Sequence, residues 1–201
     1  MNAWRDAPTL IGKHLTLRPL SLDDRAGLLA AMADGDLAQL FYTVVPTPET
    51  VDAWFAKLFA ERDAGRAMPF AVIAADGRIA GTTRFMRMSE ADKRVEIGGT
   101  LYAKSVQRTG LNTEAKRMLL AHAFDAMGVH CVQIRTGWHN RTSRQAIERL
   151  GAKLDGVLRN HKLMPDGHFR DTMVYSIITE EWPGVRANLD WLMAQHEESR
   201  G

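Results

Sequence analysis

The chain predicts a mixed α+β fold, a central and mostly antiparallel sheet with helices packed on its faces. Three observations carry this expectation. Asp76-Gly77 joins two β-like runs, and because both positions accept φ > 0 the pair is a strong hairpin signal. Apolar side chains recur at helical spacing through residues 51–59 and again through residues 113–127. The order of runs is strand, two helices, three antiparallel strands, helix, strand, helix, hairpin and terminal helix, which suits one mixed sheet rather than a strict alternation.

Residues 14–20 alternate Leu15 and Leu17 with Thr16 and Arg18, so a strand is expected to end at Pro19. Ser21 then opens a helix, Asp24 completes an acidic capping box, and Leu28, Leu29 and Met32 form its apolar stripe. Thr47 as cap with Pro48 at the first helical position predicts a second helix, in which Val51, Trp54, Phe55, Leu58 and Phe59 face the core and Gly65 marks the stop. Residues 70–75 and 78–85 are the expected hairpin. A third run, residues 94–101, contains Gly98-Gly99 near its middle, and glycines inside a strand mark a bulge or the close approach of another backbone or ligand. Residues 113–127 are helical, with Ala115, Met118, Leu119, Ala123 and Met127 on one side and Gly128 at the end. A strand holding Cys131, Ile134 and Trp138 follows, and Asn140 caps a short helix that buries Ala146, Ile147 and Leu150 before Gly151. Strands over residues 157–164 and 169–178 flank the Pro165-Asp166-Gly167 turn. After Pro183 comes an amphipathic helix with Val185, Leu189, Leu192 and Met193.

A length of 201 residues suits one domain over residues 1–201, with a core of about 14–182 and a terminal helix of about 184–198. Lys plus Arg number 26 against 24 for Asp plus Glu, a balance that argues against a general nucleic-acid binder. The single cysteine, Cys131, cannot form an intramolecular disulfide and is expected as buried strand filling. Residues 1–10 lack the apolar stretch of a signal peptide, and no apolar run nears the ~20 residues of a membrane span, so a soluble, cytoplasmic protein is expected. His122, His130, His161 and His168 show no ligand spacing, and no metal is expected. A G-x-S-x-G nucleophile turn is absent too.

The most informative stretch is Gln107-Arg108-Thr109-Gly110-Leu111-Asn112-Thr113-Glu114, a Gly-containing turn between a strand and a strongly helical run. The first N–H groups of a helix have no partner within it, and the peptide dipoles leave about half a positive charge there, so the junction suits a pyrophosphate. Gly110 permits φ > 0, while Asn112 tolerates that region and can cap the helix. An ordinary strand-to-helix loop is the plainer alternative. Neither the three-glycine dinucleotide fingerprint nor a P-loop occurs, which leaves coenzyme A as the familiar pyrophosphate ligand.

These residues resemble the GNAT superfamily of acyl-CoA-dependent N-acetyltransferases, whose Q/R-x-x-G-x-G/A pattern is approached by residues 107–112, with Asn112 where the pattern has Gly or Ala. Glu96-Ile97-Gly98, Asn112-Thr113-Glu114-Ala115, Asn140-Arg141-Thr142-Ser143, Gly151, residues 171–176 and Glu181-Trp182-Pro183 are similar to the RimJ/RimL-like branch, over residues 14–182. The resemblance implies a splayed strand pair that takes acetyl-CoA as co-substrate, with residues Gln107, Arg108, Thr109, Gly110, Leu111, Asn112 and Thr113 around the pyrophosphate. It also implies that Asn140 binds the pantetheine arm, that Ser143 protonates the departing thiolate, and that Phe41 and Tyr42 line the acceptor pocket.

Transfer from a thioester to an amine needs a deprotonated amine, a stabilised oxyanion and a proton for the thiolate. Glu96 is the candidate base, acting directly or through water; a solvent-facing carboxylate, or one paired with Arg94 or Arg84, is the alternative. The Gly98-Gly99 interruption can free an N–H from Gly99, Thr100 or Leu101 for the thioester carbonyl, with pantetheine lying as an added strand, or it can be a simple bulge. Arg108, Arg141 and Arg144 are candidates for phosphate contacts. Capping alone can explain Asn140, packing against Trp54 can explain Phe41, and Trp138 and His139 either flank the cofactor arm or serve as core and surface residues. The leading expectation is direct acetyl transfer from acetyl-CoA to a primary amine, with a protein or peptide N-terminus favoured over a small-molecule amine. A catalytically idle acyl-CoA-binding sensor or interaction module is the alternative class. The loop over residues 85–94, the last hairpin and the terminal helix are candidates for covering the core or for a homodimer contact.

Overall fold

A computed structural model describes residues 2–35 and 37–198 of the chain, the side chains of residues 196–198 excepted. Its strands are β1 (Leu10–Ile11), β2 (Leu15–Pro19), β3 (Ala67–Ala74), β4 (Ile79–Ser89), β5 (Arg94–Tyr102), β6 (Cys131–Gly137), β7 (Lys153–Leu163) and β8 (Phe169–Ile178). They form one sheet in the order β1-β2-β3-β4-β5-β6-β8-β7. Every neighbouring pair is antiparallel except β5 and β6, which run parallel. The helices are α1 (Arg25–Ala33), α2 (Val51–Asp63), α3 (Leu111–Ala121), α4 (Arg141–Arg149) and α5 (Trp182–Glu198). α1 packs on β4, α2 on β3, and α3 on α5.

The core follows from the expected stripes. Leu28 and Met32 of α1, Val51, Phe55 and Leu58 of α2, and Ala115 and Leu119 of α3 join Phe70, Phe85, Val95 and Ile97 of the sheet in one buried cluster. Removing such surfaces from water is the main favourable term in folding, about 25 cal/mol per Å² of apolar area. Trp4 extends that core from the N-terminal segment, donating its indole N–H to the Met127 carbonyl at 2.9 Å.

Several boundaries differ from expectation. The second helix begins at Val51 with Thr50 as its N-cap, not at Pro48. The Thr47 carbonyl accepts the N–H groups of Thr50 and Val51, and the Thr47 N–H donates to the Thr50 hydroxyl at 2.9 Å. Side-chain hydroxyls thus close a turn ahead of the helix. α3 begins two residues earlier than expected, at Leu111, so Asn112 lies inside its first turn and Gly110 is the N-cap. Its last turn, His122–Ala126, is π-helical, and Gly128 at φ 64° ends it as expected. β6 stops at Gly137, leaving Trp138 outside the strand and 42 % exposed. Cys131 is half-buried rather than buried.

One irregularity positions the site. β5 and β6 pair only at Arg94–Cys131, Val95–Val132 and Glu96–Gln133. Beyond Glu96, β5 stays with β4 as far as Tyr102, and β6 stays with β8 as far as Gly137. The parallel pair therefore splays. Between Gly98 and Leu101, β5 carries one residue more than the facing part of β4, and Gly99 adopts φ 56° there. A bulge of this kind bends its strand, which explains the divergence.

Candidate active site

Both splayed strands run toward the same end of the sheet, and each leads into a helix there. β5 continues through the turn at residues 103–110 into α3, and β6 through residues 138–140 into α4. The two strands thus diverge after Glu96 and Gln133 toward two separate helix starts.

The turn before α3 presents a run of unpaired backbone N–H groups. Arg108 at φ 61° and Gly110 at φ 84° are both left-handed, and the first helical bond is Glu114 N–H to Gly110 carbonyl at 3.0 Å. Among the described residues, the N–H groups of Arg108, Thr109, Gly110, Leu111, Asn112 and Thr113 have no acceptor. Successive free amides at a helix start bind phosphate through their partial positive charge. Side chains stiffen the turn: Thr109 donates its hydroxyl to the Val106 carbonyl at 2.6 Å, and Gln107 donates from Nε2 to the Tyr102 carbonyl at 3.2 Å. Glu114, an acid in the first turn of α3, would repel an anion, yet its carboxylate accepts the N–H groups of Lys13 and His14 at 2.7 Å each. That charge is committed to the turn between β1 and β2.

Glu96 stands at the last paired position before the splay and is only 4 % exposed. Its partners are not the anticipated Arg94 or Arg84. Arg87 Nη1 lies 2.8 Å from Glu96 Oε2, and Arg135 Nε lies 3.1 Å from the same oxygen, the latter too poorly aligned for a hydrogen bond. Arg87 reaches inward because β4 carries its own bulge between Met86 and Ser89, with Arg87 at φ 48°. Burial raises the Glu96 pKa above the usual carboxylate range, and Arg87, Arg135 and Arg84 partly oppose that rise. A carboxyl so balanced can take up and release a proton nearer neutrality than an exposed one.

At the start of α4, the Asn140 side-chain oxygen accepts the Ser143 N–H at 3.0 Å, so the capping role is present and the amide NH₂ remains for a ligand. The Ser143 hydroxyl has no partner among the described residues. Arg144 packs on the turn between β6 and α4. It donates to the Trp138 carbonyl at 3.3 Å and lies over the Trp138 ring at 4.8 Å. Phe41, in the loop between α1 and α2, packs against Tyr42, His139 and His168 rather than Trp54, which pairs with Phe55. Phe41 and Tyr42 thus join the β6–α4 turn that carries His139.

Sequence reasoning missed Lys116. It is 6 % exposed in the second turn of α3 and donates from Nζ to the Thr100 hydroxyl at 2.8 Å; Thr100 in turn shares a 2.8 Å hydrogen bond with Thr83. Burial without a carboxylate lowers its pKa to about 7. Its position between Ala115 and Leu119, on the apolar side of the helix, was the available signal. No group of three or more acidic, His or Cys side chains suited to a metal occurs among the described residues.

A family model described as an acetyltransferase (GNAT) domain matches residues 14–153, most of the chain and both strands of the splay. The chain belongs to the GNAT family. YdaF of Bacillus subtilis strain 168, whose assigned name is that of a ribosomal N-acetyltransferase, is 30% identical over 111 residues, which cover 55% of this chain and 60% of that protein. A GCN5-related N-acetyltransferase from Brucella melitensis has the same fold, with TM-score 0.84 and 27% identity over 94% of this chain and 86% of that one. Mycobacterium smegmatis RimJ, solved in complex with CoA-disulfide, matches with TM-score 0.78 and 25% identity over 94% and 96% of the two chains. The GNAT sheet with its splayed parallel pair is thus the architecture of this chain, and the branch similarity to RimJ rests on whole-chain structure as well as on sequence motifs.

Proposed function

We propose that the protein is an N-acetyltransferase that moves an acetyl group from acetyl-CoA directly to a primary amine, with a protein or peptide N-terminus as the favoured acceptor. One observation carries this reading. Six successive amides without an acceptor among the described residues follow one diverging strand, and a buried carboxylate of raised pKa stands where that strand leaves its neighbour. In the proposed reaction, residues 108–113 hold the diphosphate through main-chain amides, and the pantetheine arm lies between β5 and β6 as an added strand. The thioester carbonyl accepts a hydrogen bond from an N–H among Gly99, Thr100 and Leu101, which steadies the developing oxyanion. The acceptor nitrogen attacks that carbonyl and passes its proton to Glu96, directly or through water. The C–S bond breaks, the thiolate takes a proton from Ser143, and solvent returns a proton to the Ser143 oxygen as Glu96 gives up its own. An α-amine has a pKa of about 7.7–8.0, so Glu96 need only complete a deprotonation that solvent has begun.

Release of coenzyme thiol in the presence of N-terminal peptides tests the reading. Acetyl transfer with saturation in both substrates supports it, and tight coenzyme binding without transfer to any amine overturns it in favour of an idle acyl-CoA sensor. The sensor reading has one observation behind it: Arg87 and Arg135 both lie against the Glu96 carboxylate, and a carboxylate held by cations is a weaker base. The finer assignments to a RimJ-like acceptor and a cytoplasmic setting belong to this proposal; no helix of the described residues is long and apolar enough to cross a membrane.

A further inference from the structure

The sheet face that carries Glu96 also carries an excess of cations. Cross-strand register aligns Arg84 with Gly98 and Glu96 with Gln133, so Arg84, Glu96 and, two residues on, Arg135 project from the same side. Arg170 joins them from β8 and Lys162 from β7, directly opposite one another. Burial and the neighbouring Arg170, Lys57, Arg87 and Arg84 hold the Lys162 ammonium below the ordinary lysine range, which places these groups in one field. Glu96 answers Arg87 and Arg135. Glu61, the other carboxylate near Arg84, is held by Arg66 at 2.9 Å.

Three cations are left over, and two of them are held in a specific way. The Arg84 guanidinium lies over Gly99 on β5, where a Cβ would stand 2.6 Å from Nε. Arg170 lies over Gly137 at the end of β6, where a Cβ would stand 3.0 Å from Cδ. Each diverging strand therefore offers a glycine as a bed for one arginine. The Nε atoms of both arginines are buried without a hydrogen-bond partner, and neither side chain meets a carboxylate among the described residues. Among the described residues, the hydrogen bond of the Arg170 guanidinium is the 3.3 Å one to the Thr172 hydroxyl. Partly buried guanidiniums normally find an anion, because desolvation without one is costly. Mutual repulsion adds to that cost, and an arriving carboxylate or phosphate would relieve both.

We infer that the acceptor is an anionic amine: a primary amine with a carboxylate or phosphate a few bonds from the reacting nitrogen, received by Arg84 and Arg170 on either side of the splay with Lys162 beside them. This rests on the acetyltransferase reading and narrows its substrate class. The two arginines bind the acceptor and steer it; Glu96 remains the group that meets the reacting nitrogen.

Matched peptides test this, Ala-Glu-Glu-Ala-Ala amide against Ala-Gln-Gln-Ala-Ala amide, together with the small pair O-phosphoethanolamine and ethanolamine. The acidic peptide is expected to be acetylated with a kcat/KM about tenfold above its neutral twin, the gap narrowing between 50 and 500 mM salt as screening grows. A preference confined to the phosphorylated small amine identifies a metabolite acceptor, and one confined to the acidic peptide a polypeptide; either supports the anion site. Arg170→Met and Arg84→Met should each shrink the charge preference toward unity, and Arg170→Lys should restore part of it. Equal kcat/KM within both pairs overturns the inference. A binding measurement separates this inference from the activity itself: calorimetry with the N-acetylated forms of the two peptides on coenzyme A-loaded protein. Tighter binding of the acidic form, with no turnover of any amine, sinks the enzyme reading and keeps the anion site; equal binding of both forms sinks the anion site whatever the turnover.

Discussion

At the scale of single residues, the chemistry concentrates on groups whose protonation the fold has altered. Glu96 is buried, so its carboxylate form is penalised until Arg87 and Arg135 partly compensate. If it is the base, kcat/KM rises with pH as Glu96 ionises, with a midpoint above the ordinary carboxylate range. Glu96→Gln should remove that acidic limb from the pH profile and lower the plateau by about 10²-fold, the typical contribution of a positioned base. If the Ser143 hydroxyl serves the leaving thiolate, Ser143→Ala lowers kcat more than the affinity for coenzyme A. Lys116 gives a stability test whose sign is fixed by linkage. Its folded pKa of about 7 lies below the ordinary lysine value of 10.5, so between these pH values the unfolded chain binds the extra proton and stability rises with pH. Lys116→Met removes a burial penalty that is full below pH 7 and fades above it. Urea unfolding should show a stability gain about 3 kcal/mol larger at pH 6 than at pH 9. An equal gain at both pH values would show that the amine is charged throughout.

At the scale of elements, the splay depends on the bulge in β5, and Gly99 is its hinge. Gly99→Ala places a Cβ in a left-handed conformation and 2.6 Å from the Arg84 Nε. The backbone strain alone costs about 1–2 kcal/mol, and Arg84 must leave its bed. Guanidinium unfolding should register that loss, and the charge preference among acceptors should fall with it. Much of this scale is legible in the chain itself. Asp76-Gly77, Gly98-Gly99, Gly110, Gly128 and Asn140 each act within a few residues of themselves, and each marks the turn, bulge or cap that its chemistry suggests. Thr47-Pro48 misleads because two hydroxyls and a carbonyl compete for the same backbone groups, and the outcome depends on the geometry of the whole turn. Asn112 misleads for a similar reason: Gly110 provides the left-handed residue, and the helix begins before Asn112 can cap it.

At the scale of the whole molecule, the proposed cofactor site joins a turn, a strand pair and a helix start, so ligand and fold should stabilise each other. Coenzyme A at a hundredfold excess over its Kd adds about 2.7 kcal/mol, or roughly 5–11 °C in the unfolding temperature of a chain this long. Differential scanning calorimetry with and without the coenzyme measures it, and an unchanged transition at millimolar coenzyme would remove the cofactor from the proposal. By itself the sequence determined the element types, the mixed fold, the glycine turn before α3 and the family motifs, because periodicity, turn chemistry and helix starts are local properties of adjacent residues. Tertiary structure alone decided that β5 and β6 part after Glu96, that Arg87 and Arg135 rather than Arg94 or Arg84 hold that carboxylate, and that Arg84 and Arg170 lie over the two diverging strands without a carboxylate partner among the described residues. Those facts arise from pairings between residues tens of positions apart, where register and bulges set the partners, and no single stretch of chain encodes them.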